Sequence, residues 1–423
     1  MGQTIAQKII SRAAGREAVT PGEFVMVSPD YTVGCELYWP MHAKHMRDMG
    51  VERFANPDKV VLVVDHTTYT GTGTAYERLQ SDLRDFVKRT GFKNFFDVGR
   101  AGLRHLVMTE RGFARPGLFV FSDEPNIASI GAFGALNMPI SWEVLVTMVT
   151  NENWIQVPDT ARITVTGKMG HGVYVRDLVQ AVNRDFAATD KLLPMCLEYA
   201  GPGIADLSLD NRQALLACAY HAGANTAIME VDDKALAYVE ERAKGRPFYV
   251  YKSDADAKFA LEASYDLSDL SPFVTAPPVQ SNVVEVGEVK GIKINQATVG
   301  SCASNRLDDL RAAAEILKGR QVASGVTMYI SPGSQEIYGQ AAAEGLLTTF
   351  TEAGAVVMSP GCNTCWGYLG VLNDEEVSIS THQENYRGRN GSFNAKVYLG
   401  SPYVVAASAV KGEIADPREM LAD

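Results

Sequence analysis

Short apolar runs alternate with stretches of helical hydrophobic spacing along the whole chain. Residues 59–64 (KVVLVV) are apolar after the first position, the pattern of a strand buried on both faces, and they lead into Asp65 and His66. Leu79, Leu83 and Phe86 recur at helical spacing, which predicts a helix over 75–90. Residues 94–98 and 117–121 (GLFVF) read as strands, the second entering the polar turn Ser122-Asp123-Glu124-Pro125-Asn126. A strand at 162–166 precedes a helix at 175–186. A helix at 211–221 precedes a strand at 226–231, and 232–244 is helical again. This repeated order predicts parallel α/β layers. The Pro-rich segment 271–280 (SPFVTAPPVQ) reads as a linker. Beyond it the pattern resumes with strands at 293–299, 327–330 and 355–358 and helices at 308–318 and 335–343. Sheets of this kind gather functional groups in the loops at the carboxyl ends of their strands, so those loops are where chemistry is sought.

Composition narrows the class. The 423 residues carry 39 Lys+Arg against 50 Asp+Glu, a net charge of −11, which argues against a nucleic-acid or anionic-membrane binder. Hydrophobic residues make up 46% and charged residues 21%, as in ordinary folded proteins, so the chain can bury several cores. No apolar run approaches the roughly 18–20 residues that span a bilayer. The N-terminal MGQTIAQKIISRAAGREAV lacks the apolar core of an export signal, and Ala6 stands where a myristoylation signal wants Ser or Thr. The expected compartment is the cytoplasm. Six cysteines are too few for a disulfide scaffold of this length.

Three cysteines occupy strand-exit loops. Cys302 lies in VGSCASNR, and Cys362 and Cys365 lie in SPGCNTCWG. Glycine in both loops permits tight bends, and helix N-termini nearby favour thiolates. On spacing alone the trio fits a metal or cluster site, while the CxxC fits a redox pair or half a zinc site. Cys196 and Cys218 lie in apolar segments and read as core filling. Cys35 carries no signal.

The two loops, VGSCASNRLDDLRAAAEILKGR and PGCNTCWGYLG, resemble the cluster-binding segments of the aconitase superfamily, nearest to 3-isopropylmalate dehydratase large subunits. The family places one cysteine in an IGSCTN-type loop and two in a CGPC-type loop. MGQTIAQKII, PDKVVLVVDH, FFDVG, ARPGLFVF, LEYAGPGI and STHQENYRGRNG extend the resemblance through nearly the whole chain. The resemblance implies three α/β/α domains around a [4Fe–4S] cluster, here at 1–155, 156–277 and 278–423. Cys302, Cys362 and Cys365 hold three irons in this reading. The fourth faces a cleft and polarises a substrate hydroxyl while a base takes a proton from the next carbon. The implied activity is that of a hydro-lyase. In split members of the family a separate small subunit carries the swivelling domain, with a catalytic Ser and a substrate-binding Arg. Only some 30 residues follow Arg389, short of a further domain of ordinary size, so that domain is expected from a small-subunit partner.

The resemblance also assigns residues. Asp65 and His66 match the family's Asp–His pair, in which the carboxylate fixes the tautomer and raises the basicity. His105 matches a further active-site His. Beyond these the sequence departs. Where the family has Asp-Ser-His-Thr, this chain has Glu124-Pro125-Asn126-Ile127, leaving Glu124 as a carboxylate to pair with His105. Where the family has a catalytic Glu paired to that lost His, this chain has His221, so both halves of the pair, now Asn126 and His221, have changed. In the carboxylate-binding loop Arg389 matches a family Arg, but Gln383 and Glu384 stand where the family has Asn and Arg. An Arg fork binds carboxylate and Glu repels it, unless Arg387 neutralises Glu384. The expected substrate is a small hydroxy acid other than the usual di- or tricarboxylates. A different Lewis-acid reaction at the open iron, a non-catalytic iron–sulfur protein, and a zinc or dithiol redox protein are the competing readings.

Overall fold

The structure is a computed structural model that describes residues 2–51, 53–68, 74–367 and 369–422; the side chains of residues 74–76 and 366 are outside the description. Among the described residues the strands form three larger sheets and one ribbon. The first sheet is parallel throughout, in the order Asn94–Phe96, Val60–Val63, Tyr31–Cys35, Phe119–Ser122, Leu136–Pro139. The second, also parallel, runs Thr226–Met229, Cys196–Ala200, Thr160–Thr166, Leu261–Asp266. The third has seven strands, Val283–Glu285, Phe273–Thr275, Lys396–Gly400, Val377–Ser380, Gln296–Val299, Thr327–Ile330, Val356–Val357. Five of its strands are parallel, and Phe273–Thr275 pairs antiparallel with both Lys396–Gly400 and the edge strand Val283–Glu285. Phe24–Val27 and Asn153–Gln156 make the antiparallel ribbon.

The parallel α/β layers follow the sequence pattern for a physical reason. A strand covered by helices on both faces must be apolar at every position, and Val60–Val63 is buried at all four. Removing such side chains from water contributes roughly 1.5–3 kcal/mol each. The helix Val175–Phe186 keeps its expected ends because Tyr174 N–H donates to the Asp177 carboxylate at 2.8 Å and closes the first turn. Asp232 caps Asp233–Ala243 by accepting from the Ala235 N–H at 2.9 Å. The first helix, Ile5–Ala13, packs with Phe119 and Phe121 of the first sheet and with Cys196 and Ile228 of the second, which ties those sheets together. Among the described residues no helix is long and apolar enough to cross a membrane.

Two expectations are corrected. The segment 271–280 is not a plain linker, because Phe273–Thr275 is a fully buried interior strand between Val283–Glu285 and Lys396–Gly400. Three apolar or β-branched residues suffice for a strand whose partners lie elsewhere in the chain, and the prolines flank it at Pro272, Pro277 and Pro278. The helix expected over 211–221 is Leu209–Ala217, followed by the short 3₁₀ turn Ala219–Ala222. Gly223, at φ 102°, ends that turn in the left-handed region. His221 therefore sits on a tightened turn and not on a helix end.

Candidate active site

The loops after the strands converge on one cavity of about 150 Å³. Its walls are Asp65, His66, His105, Glu124, Asn126, Cys302, Cys362, Cys365, Gln383, Glu384 and Arg389, with Tyr38, Leu103 and Arg104. Of the residues singled out in the sequence, His221 and Arg387 are not in the wall; His221 stands behind Glu384.

The Asp65–His66 corner is built by main-chain hydrogen bonds. Glu36, just past the strand Tyr31–Cys35, accepts from the N–H groups of Asp65, His66 and Thr67 at 3.1, 2.8 and 2.6 Å. Asp65 in turn contacts His66 Nδ1 at 2.6 Å and accepts from the Arg104 N–H at 3.1 Å. Burial alone pushes the Asp65 carboxyl up, but Arg104 and His66 overcome it and hold Asp65 at about 2. Burial works against a charged His66, yet Asp65 beside it raises the imidazole above its usual range. Cys35, Glu36, Asp65 and His66 bring four buried donor atoms within 4.8 Å of one another. Glu36 is committed to backbone N–H groups and Asp65 to Arg104 and His66, so this group serves as a support for the cavity.

Arg104 and His105 open the helix Arg104–Glu110. Arg104 is almost fully buried and faces Asp65 at 3.5 Å, Asp123 at 3.4 Å and Glu124 at 3.9 Å. Glu124 was expected to pair with His105, but it lies against Arg104 and accepts from the Asn126 N–H at 2.9 Å. A guanidinium attracts the carboxylate more strongly than a neutral imidazole does. Burial, then Arg306, pushes His105 well below its usual range, so its ring is neutral; neither ring nitrogen has a protein partner. Asn126 Oδ1 is likewise buried without one.

The cysteine loops are locked to the same corner. Cys362 N–H donates to the Asp65 carbonyl at 2.9 Å. Gly361 makes this approach possible: a Cβ there would lie 2.3 Å from Thr68 Oγ1 and 2.9 Å from the Asp65 carbonyl oxygen. Thr381 bridges to the Cys302 loop, accepting from the Gly300 N–H at 2.9 Å and donating to its carbonyl at 2.7 Å. His382 Nε2 meets Thr364 Oγ1 at 3.0 Å between the two cysteines of the pair. Burial raises the Cys302 thiol. Cys365 is pulled down by the Cys362 thiol beside it and by Arg389, whose Nη2 stands 3.6 Å from its sulfur. Three convergent sulfurs with a cation at one of them fit thiolate ligands, and the unpartnered His105 and Asn126 atoms fit a polar occupant next to them.

The opposite wall departs from expectation. His221 Nδ1 lies 3.3 Å from Glu384 Oε1, so His221 does not pair with Asn126. Burial, reinforced by Arg176, pushes His221 down to about 3 and leaves it a neutral imidazole. Arg387 is exposed and lines a separate groove with Pro277, Pro278 and Phe393, so it does not neutralise Glu384. Cys218, expected to be core filling, places its sulfur 3.4 Å from Gln383 Oε1 and 3.6 Å from Arg176 Nη1. Arg104, Arg176 and Glu36 were missed in the sequence, while Cys218 is core filling as expected and also touches Gln383. Arg104 adjoins His105, which was the only signal, and nothing in a sequence separates a buried Arg from a solvated one.

Strand-exit loops of the α/β sheets thus bring three cysteines to one cavity with an Asp–His pair. Comparison with known proteins gives the family: the model of the aconitase family (aconitate hydratase) matches residues 7–291 and 279–412, and the chain belongs to that family. It is 38% identical over 425 residues to 3-isopropylmalate dehydratase large subunit 1 of Methanopyrus kandleri, covering 100% of both chains. It is 39% identical over 425 residues to large subunit 1 of Pyrococcus abyssi, again with 100% of both covered. It is 37% identical over 422 residues to the large subunit of Acetivibrio thermocellus, covering 99% of this chain and 100% of the other. The chain is thus a hydro-lyase of the aconitase family, and its cofactor is a [4Fe–4S] cluster.

Proposed function

We propose that the chain is the large subunit of a two-subunit dehydratase acting on a small hydroxy acid other than the usual di- or tricarboxylates. In the dehydration a C–H bond beside a carboxylate and the C–O bond of a neighbouring hydroxyl break. The proton goes to a base, its electron pair forms the double bond, and the hydroxyl leaves as water. When bound, the [4Fe–4S] cluster supplies a Lewis-acidic iron at the hydroxyl. Cys302, Cys362 and Cys365 are the ligands proposed to hold it. Asp65 fixes the ring of His66 and keeps a proton there for the leaving hydroxyl. His105 and Asn126 orient the substrate, and Arg389 takes one carboxylate. Glu124 is the further acid–base candidate on the Arg104 side. The relatives' designation as large subunits supports a small-subunit partner, which we infer carries the swivelling domain and the base. We also propose three domains at 1–155, 156–277 and 278–423, with the strand Phe273–Thr275 crossing into the third sheet.

The altered substrate rests on one observation: Glu384 lines the cavity beside neutral His221, with Arg389 as the main cation acting on it, while Arg387 points elsewhere. A second carboxylate placed about 4 Å from Glu384 meets a repulsion of about 4 kcal/mol at an effective dielectric of 20. The test is an anaerobic assay of the reconstituted complex against 3-isopropylmalate, citrate and a panel of hydroxy monocarboxylates. A monocarboxylate should turn over best; equal or faster turnover of 3-isopropylmalate refutes the reading.

A further inference from the structure

Gln383 and Glu384 stand side by side in the cavity wall, and each is held from behind. Glu384 is a hydrogen-bond acceptor when ionised. Its Oε1 lies 3.3 Å from His221 Nδ1, a contact that is favourable only if that nitrogen carries the proton, and Gln280 stands against the same carboxylate. Gln383 Oε1 lies 3.4 Å from the Cys218 thiol, whose S–H donates to it. That contact orients the amide so that its NH₂ is the remaining group. Gln383 is 2% exposed; its Nε2 makes no hydrogen bond of good geometry, with the His221 ring beside its side chain. A buried amide donor without a partner is costly, and an occupant of the cavity is what removes the cost.

The wall therefore offers one donor and one acceptor next to each other. A carboxylate can accept from Gln383 but is repelled by Glu384. An ammonium can donate to Glu384 but leaves Gln383 unsatisfied, and it stands near the cations Arg389 and Arg176 that act on Glu384. A group that both donates and accepts satisfies both residues. We propose that Gln383 and Glu384 select a substrate whose distal group is neutral and both donates and accepts hydrogen bonds, a hydroxyl or a primary amide. This rests on the altered-substrate reading above and names the class of that substrate.

The test uses 3-hydroxy acids that share the carboxylate, the C–H and the leaving hydroxyl and differ only at the substituent on the carbinol carbon. Malate carries a carboxylate there, its α-monoamide a carboxamide, 3,4-dihydroxybutyrate a hydroxymethyl, 4-amino-3-hydroxybutyrate an aminomethyl and 3-hydroxybutyrate a methyl group. Binding to the cluster-loaded complex is followed by anaerobic calorimetry, independently of turnover. The amide or the dihydroxy acid should bind at least roughly tenfold more tightly than malate, the amino compound and the methyl compound, the ratio expected from one unsatisfied buried polar group. The two favoured probes separate amide from hydroxyl. Glu384→Gln should narrow the gap to malate about tenfold, with absorbance near 400 nm unchanged. Gln383→Leu should weaken the favoured probe and leave the methyl compound unaffected. Malate binding as tightly as both favoured probes, or no binding by either of them, overturns the proposal. Tight binding of the amide without dehydration upholds it while removing the hydro-lyase reading of this substrate class.

Discussion

Asp65 joins several parts of the site: its carboxylate meets His66 and the Arg104 N–H, and its main-chain carbonyl receives Cys362 N–H. Asp65→Asn removes the charge that raises His66 and can present an N–H where an acceptor is needed. kcat should fall by about 10²–10⁴-fold, the range for loss of a positioned acid–base pair, with iron content retained. Iron and kcat measured on the same preparation check this. The cysteines allow a sharper contrast. Cys302→Ser should lose most iron and acid-labile sulfide, while Cys196→Ser, in the buried strand Cys196–Ala200, should keep both. Equal metal content in the two variants would exclude Cys302 as a ligand. These residues were legible because chemistry-bearing types followed strand-like runs in motifs with a resemblance. Arg104 was not, since its role comes from three carboxylates that only folding brings within 4 Å of it.

The elements that carry the site are held by contacts between distant segments. Val274 is fully buried in the middle of Phe273–Thr275. Val274→Asp should therefore destabilise the third sheet by several kcal/mol, or abolish soluble expression, as a buried unpaired charge does. A linker residue would tolerate the change, so chemical denaturation distinguishes the two. Glu110 ends the helix Arg104–Glu110 and accepts from Ser334 Oγ, the N-cap of Gln335–Ala343. Burial raises Glu110 to about 8, against the Ser334 hydrogen bond that lowers it. A raised carboxyl pKa means that the folded state keeps a proton the unfolded chain releases. The contribution is present in full below the ordinary carboxylate pKa of about 4.3 and is lost as pH rises towards 8. Glu110→Gln should raise the melting temperature at pH 8 relative to the parent, and that gap should narrow strongly at pH 5. Thermal melts across that range measure it, and a constant gap would contradict the assignment. The helix Val175–Phe186 was readable to the residue because its periodicity and cap are local. The strand Phe273–Thr275 was not, because its pairing partners lie in other parts of the chain.

At the scale of the molecule, three sheets surround one cavity whose wall draws on loops from 38 to 389. The first sheet supplies Asp65, His66 and Glu124, and the third supplies Cys302 and the loop from Gln383 to Arg389. The 3₁₀ turn beside the second sheet backs them with His221. If the partner brings the base, the cluster-loaded chain alone should bind hydroxy acids yet dehydrate them at least about 10²-fold more slowly than the complex. Assay before and after adding the small subunit measures this. Full turnover by the single chain would place the base within it.

The sequence by itself determined the alternation of strands and helices, the three cysteines and the Asp–His pair, because hydrophobic period and short motifs are local properties of the chain. Through the family resemblance it also implied that Glu384 stands where a cation is expected. The partners of that glutamate, the burial of Arg104 and the strand role of Phe273–Thr275 were decided only by the tertiary structure. Each depends on which distant groups share a low-dielectric space, and neither period nor spacing records that distance.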